Sequence, residues 1–145
     1  MPLHLIKLCV GVDSTQDLID WIERNRSRFQ LPNGEFDQTH TTRMVPKRVD
    51  ELLDGGSIYW VIKGQVTCRQ ELAAVEPFTD AQGIGRCRLH LRQPIILVEP
   101  RPYRPFQGWR YMADKDVPPD LGTGAKGAEE MPESLRRELS SLGLL

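Results

Sequence analysis

A chain of 145 residues with a formal net charge of -1 and 27% charged residues has the size of one domain that buries a core without disulfide or metal staples. Cys9, Cys68 and Cys87 lie scattered among apolar neighbours at no C-x-x-C spacing, which argues against a zinc cluster and a disulfide framework and points to reduced core thiols. The first apolar run, Leu3 to Val12, is broken by His4 and Lys7 and is too short to span a bilayer, so no membrane partner and a cytoplasmic location are expected.

Leu3 to Val12 reads as a largely buried strand ended by Gly11 and Asp13. A helix follows, with Ser14 as its cap, Asp17 in the first turn, and Leu18, Trp21, Ile22 and Phe29 at helical spacing. Pro32-Asn33-Gly34 turns the chain. Thr39 to Val45 is extended, because threonines favour strands and Pro46 keeps Val45 out of a helix. Pro46 suits the first position of a short helix whose apolar side is Val49, Leu52 and Leu53, ended by Gly55-Gly56. Ser57 to Lys63 is a strand, Gly64 interrupts it, and Gln65 to Leu72 alternates as the next.

Asp80 to Gly85 returns the chain into Arg86-Cys87-Arg88-Leu89-His90-Leu91-Arg92, a strict alternation. Cys87, Leu89 and Leu91 share the face toward a core, and Arg86, Arg88, His90 and Arg92 share the other. Ile95 to Val98 continues the sheet after a bend, and prolines at 100, 102 and 105 prevent regular structure beyond it. Residues 113–131 read as an acidic linker rich in Pro and Gly. Residues 132–145 read as a terminal helix with Leu135, Leu139 and Leu142 on one face. The expected organisation is a globular domain over residues 1–112, then linker and helix. The fold class is α+β, a mainly antiparallel sheet able to curl into a barrel, with short helices and a flexible acidic tail.

The basic character of Arg86 to Arg92 runs on into Arg101, Arg104 and Arg110, interleaved with Tyr103, Phe106, Trp109 and Tyr111. Guanidinium groups spaced along a strand suit phosphates, and neighbouring rings suit unpaired bases. The same alternation equally describes a solvated face whose charges pair with Arg69 or Glu71, and terminal aromatics also close cores. Arg43, Lys47 and Arg48 flank Pro46 at a helix start where a phosphate could be held, although Glu51 one turn on can neutralise Lys47. Tyr59 and Lys63 are candidates for a pocket wall, whereas Trp60 alternates with Ile58 and Ile62 toward the core. Expected anion or nucleic-acid contacts are therefore Arg43, Lys47, Arg48, Lys63, Arg86, Arg88, Arg92, Arg104, Trp109, Arg110 and Tyr111. For catalysis, His40, Thr42, Arg43 and Glu51 form the one tight mixture of base, hydroxyl, cation and carboxylate. His4, His40 and His90 lie far apart, and neither a P-loop nor a dinucleotide fingerprint occurs, so no metal and no cofactor are expected.

The runs His4-Leu5-Ile6-Lys7-Leu8-Cys9-Val10-Gly11-Val12, His40-Thr41-Thr42-Arg43, Pro46-Lys47-Arg48, Glu51 to Gly64 and Pro105-Phe106-Gln107-Gly108-Trp109-Arg110-Tyr111 carry a family likeness. Over Leu3 to about Leu121 the chain resembles an alphaproteobacterial family catalogued as a domain of unknown function, DUF1489. That resemblance implies an alphaproteobacterial source and says little about chemistry. A looser likeness is to PUA-like barrels of the ASCH type, with Lys47, Arg48, Glu51 and Gly55-Gly56 in comparable positions before a strand. It implies binding of RNA or modified nucleotides or, in a few members, hydrolysis of nucleoside derivatives. The leading expectation is a non-enzymatic module that binds RNA or a nucleotide. The alternatives are a small hydrolase of nucleoside-like or phosphorylated compounds centred on Arg43, Lys47 and Glu51, and an adaptor that engages a protein partner through its terminal helix.

Overall fold

The computed structural model describes residues 2–123. The elements are β1 (Leu3–Leu8), α1 (Thr15–Arg24), α2 (Arg26–Phe29), β2 (Gln38–Thr42), α3 (Val49–Leu52), β3 (Ser57–Ile62), β4 (Gln65–Thr79), β5 (Gly85–Leu91), β6 (Ile96–Pro102), β7 (Trp109–Ala113), a 3-10 turn (Asp114–Asp116) and β8 (Asp120–Thr123). The protein is sheet-rich with few short helices, and the expected terminal helix lies outside the described residues.

Local chemistry explains the elements the sequence announces. Ser14 caps α1 by accepting from the Asp17 amide at 3.1 Å, and α1 buries Leu18 and Ile22. Helical spacing runs on toward Phe29, but Asn25 splits it into α1 and α2, its side-chain amide donating to the Trp21 carbonyl at 2.8 Å. Lys63 and Gly64, both at positive φ, make the tight turn between β3 and β4. Asp80 holds the turn before β5 by accepting from the amides of Gln82 and Ile84. Gly56 follows α3 where only glycine fits, since a Cβ there would sit 2.2 Å from the Leu3 carbonyl oxygen and 2.3 Å from that of Leu52.

Three expectations are corrected. Pro46 does not open α3; the helix begins at Val49, because the Lys47 and Arg48 amides are drawn instead to the Tyr111 hydroxyl. The strand beginning at Gln65 runs through to Thr79: a bulge near Leu72 turns it onto β5, its single strand partner over the second half, so Pro77 is tolerated beside an open edge. Regular structure does not stop at the prolines. β6 passes through Pro100 where a register shift against β4 leaves that residue out of the ladder, and β7 follows. Asp120–Thr123, in the segment expected to be linker, pairs with β6.

The sheet is mixed. β1 runs parallel to β3, and every other strand pair is antiparallel. Its main path is β2-β5-β4-β3-β1-β7, with β6 and β8 branching from the first half of β4. The sheet curls, bringing His40 of β2 against Trp60 of β3 at 5.2 Å although β5 and β4 separate their strands in the path. It does not close, which corrects the barrel expectation. Instead of a ladder between β2 and β7, the segment 43–48 straps the gap. The Trp109 indole donates to the Met44 carbonyl at 2.8 Å, and the Tyr111 hydroxyl accepts from the Lys47 and Arg48 amides at 2.9 and 3.2 Å. Inside the curl lies the main core, including Leu5, Ile58, Trp60, Leu89 and Trp109, and a smaller cluster around Ile6, Tyr59 and Val98 covers the opposite side of β1 and β3.

Candidate small-molecule site

The basic strand face is real, and it is largely neutralised. Arg86 pairs with Asp80 at 2.6 Å, and Arg88 pairs with Glu76 at 3.1 Å while lying over the Phe78 ring. His90 bridges Asp37 and Glu76, each at 2.9 Å. Burial pulls the His90 pKa down, but the bonds to Asp37 and Glu76 outweigh it and hold the ring above its ordinary value. The partners come from β4, from the turn that follows it and from the residue before β2, so the face is an ion-paired surface.

The remaining sequence candidates are dispersed. Lys63 meets Asp13 at 3.6 Å, and Arg48 pairs with Glu51 and lies over the Tyr111 ring. Trp109 is buried, Tyr111 packs edge-on against it at 4.9 Å, and Arg110 lies over Phe106. Arg43, Lys47, Arg92 and Arg104 are exposed and make no ion pair among the described residues. The strap thus joins the Lys47–Arg48 group to the Trp109–Tyr111 group. The arginines of β5 and Lys63 belong to neither.

The concave chemistry lies elsewhere. A cavity of about 260 Å³ opens between the end of β1 with its following turn, α1, β2 and Trp60. Leu3 and Leu5 face the main core, and the two-residue period carries Lys7 onto the same side, at the mouth of the curl. By the same rule Gln38, His40 and Thr42 of β2 point inward. The walls are mostly apolar, with Val12, Leu18, Trp21 and Trp60 among them. Behind the cavity a buried relay fixes the back wall: the Trp60 indole donates to Gln70 at 3.1 Å, and the amides of Gln70 and Gln93 donate to Gln38.

Three titratable groups of the lining are shifted from their ordinary pKa values. Burial, helped by the charge of Lys7, lowers the His40 pKa to about 4, so its imidazole is neutral, and its Nε2 is shut from solvent with no hydrogen-bond partner among the described residues. Burial also lowers the Lys7 pKa. It raises the Cys9 thiol to about 11 against the opposing pull of Lys7, so Cys9 stays protonated. A buried polar atom without a partner costs about 1–3 kcal/mol, and such atoms concentrate where a protein has a use for them. Among the described residues no group of three metal-ligating side chains occurs.

Sequence reasoning placed His40 in a catalytic mixture with Thr42, Arg43 and Glu51, but Arg43 is exposed on the strap and Glu51 is engaged with Arg48. It missed Lys7, Cys9, Trp21 and Gln38 as a group. For Lys7 and Cys9 the signal was polar residues at inward phase in the apolar run Leu3 to Val12, visible once Leu3 and Leu5 are known to face in.

Fold and cavity together define a mixed, open-sheet α+β protein with one side of its curl enclosing a small, mostly apolar pocket. The chain belongs to the family described as a protein of unknown function, DUF1489, whose model matches residues 5–145. The match runs past Leu121 and takes in the segments expected as linker and helix; it brings no PUA-like likeness with it. Neither the curated proteins nor the solved structures contain a match to this chain. Among the described residues no helix is long and apolar enough to cross a membrane.

Proposed function

We propose that the protein is a small-molecule-binding module whose ligand occupies the cavity between β1, α1 and β2. The observation that carries this reading is the mostly apolar concavity into whose lining half-buried Lys7 and neutral His40 are set together. At about 260 Å³ the site falls just below the range of drug-sized ligand pockets, so its ligand is compact. A fragment titration followed by amide chemical shifts tests it. The expected result is movement concentrated at Lys7 to Val12, Trp21 and His40, abolished by the cavity-filling substitution Leu18→Trp. Binding mapped to another surface, or unchanged by that substitution, removes the reading.

RNA or nucleotide binding has a narrower basis as a second reading. Arg110, lying over the buried Phe106 ring, and Arg104, nearby in the chain, are exposed cations that no carboxylate of the described residues pairs with. Anisotropy of short single-stranded RNA at two salt concentrations tests it: affinity should fall steeply with salt and with Arg110→Gln, while Arg88→Gln should change it by less than about twofold. Absence of salt-sensitive binding at micromolar protein counts against this reading.

A further inference from the structure

The cavity's charge pattern constrains its ligand more than its size does. Lys7 is the one charged side chain of the lining, which contains no Asp or Glu. Lys7 makes no ion pair among the described residues, although it is half-buried. The carboxylates that follow the rim in sequence are already engaged, Asp13 with Lys63 and Asp17 with the Asp13 amide. The polar neighbours of Lys7 in the lining are neutral: an imidazole, a thiol, an amide and a hydroxyl. A cation partly withdrawn from water with no counter-charge is costly to keep, and its attraction for an anion is stronger there than at an open surface.

We infer that the cavity takes a small organic monoanion, a carboxylate on a flat apolar body, with the carboxylate at Lys7. The inference rests on the cavity being a binding site. One cation and no arginine in the lining match a single negative charge better than the two charges of a phosphate monoester, which recruits bidentate guanidinium groups. Leu18, Trp21 and Trp60 supply the walls for an aromatic body. His40, held neutral, keeps one donor and one acceptor nitrogen and adds a hydrogen bond without adding charge. A second cation there would favour a dianion, so the low basicity of His40 sharpens the choice for a monoanion.

Matched probes separate this inference from the reading beneath it. The full chain is titrated with benzoate and benzamide, and with indole-3-carboxylate and indole-3-carboxamide, following tryptophan fluorescence and amide shifts. Each carboxylate should bind at least about tenfold tighter than its amide, a difference of about 1.4 kcal/mol. Lys7→Gln should erase that preference by weakening the carboxylates at least about tenfold, and Lys7→Arg should restore it. Equal or tighter binding of the amides by the wild-type chain overturns the monoanion and leaves the pocket standing. Preference surviving in Lys7→Gln overturns the assignment to Lys7. Binding of neither class up to millimolar concentration overturns the pocket itself. The wild-type comparison needs no variant to fold.

Discussion

His40 and His90 lie on adjacent strands, with Thr39 opposite His90 and His40 opposite Leu89, yet they face opposite sides of the sheet. Their environments push them apart. His40, buried beside a cation, is lowered to about 4, and His90, between two carboxylates, is raised. For His40 the unfolded chain binds a proton that the folded chain refuses, so stability is complete above the ordinary histidine value and falls as pH drops from about 6.5 toward about 4. The loss over that window should be on the order of 3 kcal/mol, and His40→Gln should flatten it in urea unfolding measured from pH 7 to pH 4. His90 behaves oppositely: its contribution is full below the ordinary value and is lost as pH rises through its raised pKa. The stability gap between wild type and His90→Gln should therefore narrow from about pH 6 to pH 8; a gap that widens would contradict the Asp37 and Glu76 bridge. Gly56 marks a third position where one atom matters. Gly56→Ala should cost about 3 kcal/mol or more, read as a lower urea midpoint at unchanged slope, because both clashing atoms are backbone oxygens.

At the scale of elements, the strap over residues 43–48 rests on one hydroxyl and one indole from β7. Tyr111→Phe removes the acceptor for two amides and should cost about 1 kcal/mol, with faster hydrogen exchange at Lys47 and Arg48 and none at β4. How much of this was legible in the sequence follows from which interactions are local. The alternation of Arg86 to Arg92 fixed a half-buried strand with Cys87, Leu89 and Leu91 inward, and all three are buried. The Ser14 cap, the break at Gly64 and the Asp80 turn were legible for the same reason: each depends on residues within a few positions. The partners of the ladder were not, because Asp37 and Glu76 reach it only through strand order and register. The cavity was the least legible feature. Lys7 and His40 are thirty-odd positions apart, and nothing local says that β1 and β2 curl toward the same space. Trp60 was expected in the core, and it is there; that one edge of it also walls a pocket depends on the curl.

The molecule as a whole is held by a strand with three neighbours. β4 pairs with β3 and β6 over its first half and with β5 over its second, so the sheet divides there into two branches. β8 completes the outer branch, and Asp120 grips Arg69 through two bonds of 2.8 and 2.7 Å. A chain shortened to end at Met112 should therefore lose about 3 kcal/mol or more relative to one ending at Thr123, measured by thermal unfolding. The branching also dictates an order of assembly. The β3–β4 and β4–β5 hairpins join neighbours in the chain, whereas β1 must find β3 in parallel across three helices and a strand, and β7 must return to β1 from the far end. Pairings that close long loops come late. One wall of the cavity is β1, a late partner of the Trp60 strand, so during refolding a ligand should meet a competent pocket only after the β4 hairpins are already in place. Ligand added at the start of refolding should then slow unfolding without speeding folding, which places the pocket outside the nucleus.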